Sequence, residues 1–195
     1  LLVGFDRYTY IYAGGTGSFA HFMVRAANFA VFFLTSGGVL AFNIYLCDLL
    51  MDGGKAEQLP VRLRAVSGLT VIGMLLVVIS QFTGLIYTID EDNNYHRAPL
   101  FAICYVIPIL CTFIQFTAVV QYRKAFSKII YVSVMLFIFV PVCMSVIQVF
   151  AYGLSLTNIA FALVSIAMYI FAYADINDRV EHAHQLELAA VQEER

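Results

Sequence analysis

The chain has 195 residues, 62% of them hydrophobic and 12% charged, with a formal net charge of −2. Soluble domains are roughly half apolar and a quarter charged, so a water-soluble fold is excluded for want of polar surface. Nucleic acid is excluded as a partner because no basic tract offers it an electrostatic footprint, and the lipid bilayer is the expected surrounding.

A hydrocarbon core about 30 Å thick takes about 20 apolar residues at 1.5 Å rise each. Ahead of the first such run, Leu1-Leu2-Val3 reads as the stub of an earlier span, which would make six helices with both ends inside. Gly14-Gly15-Thr16-Gly17 reads as a flexible outer loop, because a phosphate-binding loop needs a following lysine and a preceding strand. Charge-free runs then lie between Arg25 and Asp48, between Arg64 and Asp90, and between Arg97 and Arg123, each long enough for one crossing. The fourth run, Ile129 to Ala174, is roughly 69 Å as one helix, about twice the membrane. Ala151-Tyr152-Gly153-Leu154-Ser155-Leu156-Thr157-Asn158 near its middle supplies the Gly, Ser and Asn of a tight hairpin. The expected fold is therefore an all-α, polytopic bundle of five spans over residues 1–174, followed by an exit helix over 175–195.

Cytoplasmic loops accumulate lysine and arginine. Lys55, Arg62 and Arg64 place the first interspan loop inside, and Arg123, Lys124 and Lys128 place the third there. The acidic loop Asp90-Glu91-Asp92-Asn93-Asn94-Tyr95-His96-Arg97 and the uncharged fourth loop then lie outside. The expectation is a multi-pass protein of the cell membrane with its amino end outside and its carboxyl end in the cytoplasm. Arg7 and Arg25 fall on the outer side against the rule, although Arg25 can snorkel to the interface or pair with an acid.

No catalytic constellation is legible. Every lysine sits in a cytoplasmic loop, so no buried amine is available for a Schiff base with a retinal-like chromophore. His21 and His96 are distant in sequence, and His182 and His184 point to different faces of a helix, so neither a metal nor another cofactor is expected. Cys47, Cys104, Cys111 and Cys143 all lie in apolar runs and read as small hydrophobes.

Polar side chains in a span are costly unless they face one another or a wet cavity. Arg25, Asn28, Gln81, Gln148, Tyr152 and Asn158 are biased toward the outer half and suggest a polar pocket opening outward. With Tyr95, His96 and Arg97 of the acidic loop they form the candidate binding set for a small-molecule ligand arriving from outside. The same residues also suit simple interhelical hydrogen bonding. Pro108 and Pro141 lie within the third and fourth spans, where a missing amide donor bends a helix.

From Asp175 through Arg195 the sequence holds neither Pro nor Gly and reads as one helix continuous with the last span. Ile176, Val180, Ala183 and Ala190 make a heptad-like stripe interrupted at Glu187, the pattern of a signal-relay helix pairing in a homodimer.

Three stretches carry a family resemblance: Asp90 through Leu100, Phe5-Asp6-Arg7-Tyr8 to Asn28-Phe29, and the exit helix ending in Gln192-Glu193-Glu194-Arg195. Together they resemble the multi-span amino-terminal sensory regions of bacterial signalling proteins. Such proteins carry histidine kinase, diguanylate cyclase or metal-dependent phosphohydrolase outputs after a helical linker, as in two-component systems. The resemblance implies a membrane-embedded sensory input module, with any enzymatic activity residing in an output domain beyond this chain. A small transporter, or its substrate-binding subunit, is the alternative, although no paired broken helices are evident. A membrane enzyme acting on lipid lacks an acid–base or metal constellation.

Overall fold

The computed structural model describes residues 1–51, 58–148 and 155–193. It is all-α apart from one short hairpin. Five of its helices are long and apolar enough to cross a membrane: α2 (Ser18–Met51), α3 (Val61–Thr83), α4 (Ile103–Gln121), α5 (Lys128–Gln148) and α6 (Leu156–Glu193). They are preceded by an 11-residue helix, α1 (Leu2–Tyr12), in which Leu2 and Val3 form the first turn. This is the architecture of a multi-pass membrane protein.

The chain divides into two compact units, residues 1–122 and 123–195. In the first unit α2 packs on α1, α3 and α4, and α3 packs on α4. Lipid tails are as apolar as leucine, so helices in a membrane are held by close van der Waals fit and interhelical hydrogen bonds. Val39, Val66 and Cys111 bring α2, α3 and α4 together, with Leu69, Ile107 and Ile114 packed around them. Asn43 of α2 is fully buried beside them, and its Nδ2 donates to Leu63 O at 2.8 Å and Ser67 Oγ at 2.9 Å. Gln115 of α4, 1% exposed, donates to Val39 O at 3.2 Å and Asn43 Oδ1 at 3.4 Å. Toward the same end Arg62 of α3 donates to Thr117 Oγ1 at 3.2 Å and to Gln121 Oε1 of α4.

The second charge-free run does not stay helical up to Asp90. α3 stops at Thr83, where Gly84 takes a left-handed conformation (φ 64°) and donates its N–H to Ser80 O at 2.9 Å. The chain then forms an antiparallel hairpin of β1 (Tyr87–Ile89) and β2 (Tyr95–Arg97), with Tyr87 opposite Arg97 and Ile89 opposite Tyr95. Its turn is closed by Asn93 N–H to Asp90 O at 3.1 Å, with Asn93 at φ 60°. A three-residue loop ending in a left-handed residue is a common hairpin closure, and asparagine tolerates that conformation. The ladder continues through Ala98 N–H to Ile86 O and Leu100 N–H to Leu85 O before α4 begins.

In the second unit α5 and α6 pack as an antiparallel pair, with Phe137 against Phe161 at 5.1 Å between ring centroids. Pro108 and Pro141 lie inside α4 and α5, as expected from their positions. α6 runs for 38 residues without a break, from Leu156 through Asp175 to Glu193. Lys55, Ala151, Tyr152, Gly153, Leu154, Glu194 and Arg195 lie outside the described residues.

Candidate functional site

The hairpin end of the first unit gathers most of the expected binding residues. The hairpin carries alternating side chains, and its inward aromatics fill the space above α2, α3 and α4. Val77, Ile86 and Tyr87 form a buried cluster with Phe29, Phe32, Phe33, Tyr95 and Phe101 around it. Tyr87 stacks on Tyr95 at 5.6 Å, Phe32 lies 5.4 Å from Tyr87, and Tyr95 meets Phe101 edge-on at 6.2 Å. Such aromatic pairs contribute about 0.5–1.5 kcal/mol each beyond the area they bury.

Polar contacts complete the closure. Ile86 N–H donates to Ser80 Oγ at 3.0 Å, and Gln81 Nε2 donates to the Tyr87 hydroxyl at 2.7 Å. Arg25, exposed on α2, donates from Nη2 to Gln81 O at 2.9 Å, tying α2 to the last turn of α3. Burial pushes the Tyr87 phenol above its ordinary value, an effect that the Gln81 hydrogen bond opposes. Burial raises the Tyr95 phenol as well, and its hydroxyl is enclosed with no hydrogen-bond partner among the described residues.

Two hollows open beside these groups. One, of about 200 Å³, is lined by Arg25, Ser80, Gln81, Gly84, Tyr87, Thr88 and Ile89. The other is a trough of about 540 Å³ between α2 and α3, in which Arg25 and Gln81 stand among apolar walls that include Phe22, Phe29, Val78 and Phe82. Arg25 and Gln81 belong to both.

The remaining expected residues are not all there. Asn28 faces its own helix and donates to Val24 O at 2.9 Å. His96 pairs with Asp90 at 2.8 Å on the exposed turn, and this bond, with one from Asn94 N–H, holds the Asp90 carboxyl below its ordinary range. Arg97 stacks over the Phe101 ring at 4.8 Å. Gln148 and Asn158 belong to the second unit, where Gln148 Oε1 accepts the Thr157 N–H at 2.9 Å as α6 begins. The nine-residue set thus resolves into a hairpin-end group built on Arg25 and Gln81, a separate helix-start contact, and Tyr152 outside the described residues. The expected bias of polar residues toward the hairpin end is also corrected, since Asn43, Gln115, Ser67 and Thr70 lie deep in the rest of the first unit.

Asn93 and His21 are the residues that sequence reasoning missed. Asn93, 3% exposed, accepts from His21 Nδ1 at 2.6 Å, donates from Nδ2 to Gly15 O, and accepts the Gly14 N–H at 3.4 Å. An amide oxygen only accepts, so His21 Nδ1 carries the proton in this contact. The turn Gly14-Gly15-Thr16-Gly17 is therefore pinned at Gly14 and Gly15 to the hairpin tip rather than free. The Asp-rich and Asn-rich cluster after the β-branched and aromatic triplet Tyr87-Thr88-Ile89 and before Tyr95 is the available hairpin signal.

In the second unit, α6 is held where its apolar stretch ends. Asp175, 7% exposed, accepts from Ser127 Oγ and pairs with Arg179 at 2.8 Å. Ser127 Oγ also accepts the Ile130 N–H at 3.3 Å, so one hydroxyl caps α5 and anchors α6. Beyond this point Ile176 and Val180 are 60% and 63% exposed, and Ala183 is exposed too.

Among the described residues no three His, Cys, Asp or Glu side chains converge to hold a metal ion. Comparison with protein-family models, curated proteins and solved structures finds no match for this chain.

Proposed function

We propose that the chain is a membrane-embedded sensory input module of a bacterial signalling protein. In this reading the hairpin end of the first unit faces outward and meets the signal, and α6 carries the response into the cytoplasm. The orientation rests on the placement of Lys55, Arg62, Arg64, Arg123, Lys124 and Lys128. The carrying observation is the length and continuity of α6. Its 38 residues make about 57 Å of helix, against a hydrocarbon core of about 30 Å, so a long charged stretch extends past the membrane without a hinge. A rigid helix transmits rotation or translation to a downstream two-state element. The exposed Ile176, Val180 and Ala183 supply a face for pairing with a second copy, as a relay into a dimeric output requires.

Helix phase provides the test. The chain is fused after Arg195 to a kinase core of known basal activity, and one to seven alanines are inserted after Val180. One residue turns a helix by about 100°, while seven return it close to its starting face. Kinase activity should swing with the first insertions and return near the parental level at seven. A flat response across the series would make the segment a tether and sink the relay.

A further inference from the structure

We propose that the trough between α2 and α3 binds a single-chain anionic amphiphile, a long-chain carboxylate, with its head on Arg25 and its chain along Phe29 and Val78. This inference rests on the sensory reading and names the chemical class of its signal. Residues 22, 25, 26 and 29 follow helical spacing on one face of α2, and 78, 81 and 82 do so on α3, so the two faces together line one open trough. Its volume of about 540 Å³ falls within the roughly 300–1,000 Å³ of small-molecule sites.

Charge sets the sign of the head. Arg25 takes part in neither the His96–Asp90 nor the Arg179–Asp175 ion pair, and its side-chain contact is with a neutral carbonyl, Gln81 O. One arm of its guanidinium is fixed by Gln81 O, which orients the fork and leaves donors for a two-oxygen anion. His21, also on the trough wall, directs its Nδ1 proton to Asn93.

Geometry sets the tail. Arg25 begins the first charge-free run, so it stands at the boundary of the hydrocarbon, and Phe29 and Val78 lie about 6 Å and 5 Å further in. Val78, inward of Arg25, is 36% exposed, so the wall is open sideways to lipid there and a chain enters laterally from the bilayer. One cation and one trough specify one head and one chain, which favours a free carboxylate over a two-chain phospholipid.

Photolabelling tests this in the full chain, held in phosphatidylcholine nanodiscs in alkaline buffer. The probe is palmitate bearing a diazirine on its chain. Peptides containing Phe29 and Val78 should be labelled saturably, and unlabelled palmitate should suppress the labelling. A hexadecanol probe of equal length should label them about tenfold less or weaker, as should the palmitate probe on Arg25→Gln, because a charge-assisted contact is lost. Arg25→Lys should retain most of the labelling. Ala26→Phe keeps the charge but fills the trough and should abolish labelling, which decides the matter even where Arg25→Gln does not fold. Equal labelling by the neutral probe would reduce the trough to ordinary lipid-facing surface. Phosphatidylglycerol competing as well as palmitate would assign it to bilayer phospholipid, and either result overturns the proposal. Labelling is read without any output domain, so its failure is distinct from failure of the helix-phase series.

Discussion

Two left-handed residues decide how the hairpin end is built. Gly84 stops α3, and a Cβ there would lie 2.9 Å from Thr88 Cγ2 in addition to adopting φ 64°. A side chain in this conformation costs about 1–2 kcal/mol before the clash is counted. Gly84→Ala should therefore lower the unfolding free energy by at least about 1 kcal/mol in mixed micelles. Gly68→Ala on the open face of α3 should be neutral or stabilising, because nothing lies near its added methyl and alanine favours helix. Equal effects at the two sites would refute the special role of Gly84. Asn93 reaches a similar backbone state with a side chain that tolerates it and uses that side chain to join His21 and Gly15. Gly84 and Asn93 were visible in the sequence as turn-forming types. Their consequence was not, because an apolar run reaching Asp90 satisfies a span-length criterion whether or not its last turn is helical.

At the scale of elements, the spans follow from hydrophobicity alone, and α5 ends at Gln148 before α6 begins at Leu156, so Leu156, Thr157 and Asn158 of the expected hairpin are helical instead. Interhelical pairing was not legible in the same way. A polar residue reveals its cost in lipid, but its partner depends on helix rotation, which a nearly uniform apolar sequence does not encode. Asn43 is the clearest case, since one amide bridges α2 to α3 and accepts from α4. Interhelical hydrogen bonds in membranes average about 0.6 kcal/mol and reach about 1.7. Asn43→Leu should remove three such contacts and lower stability by about 1–3 kcal/mol in a denaturing-detergent titration. An unchanged midpoint would show that leucine packing compensates fully, and that the amide is not what holds α2, α3 and α4 together.

For the whole molecule, the decisive measurement is its sidedness. Cysteine at Glu91, exposed on the hairpin turn, and at Gln58, exposed before α3, should report opposite faces. In a background lacking Cys47, Cys104, Cys111 and Cys143, an impermeant thiol reagent should label position 91 in intact cells and position 58 only after permeabilisation. The reverse pattern would invert the proposed orientation and place the Arg25 hollows on the cytoplasmic side. Asn93 is unsuitable as a reporter because it is buried in the turn contact.

That same contact bears on biosynthesis. Gly15 and the Asn93 side chain that binds it are 78 residues apart in the chain. At a translation rate of about 5–20 residues per second, roughly 4–16 s pass between the emergence of the two. The glycine turn thus waits without its partner while α2 and α3 are inserted, and the contact closes only once both lie the right way across the bilayer. A quality-control protease that cuts exposed turns would find its target in every molecule whose third helix had failed to thread, and lose it in those that were complete.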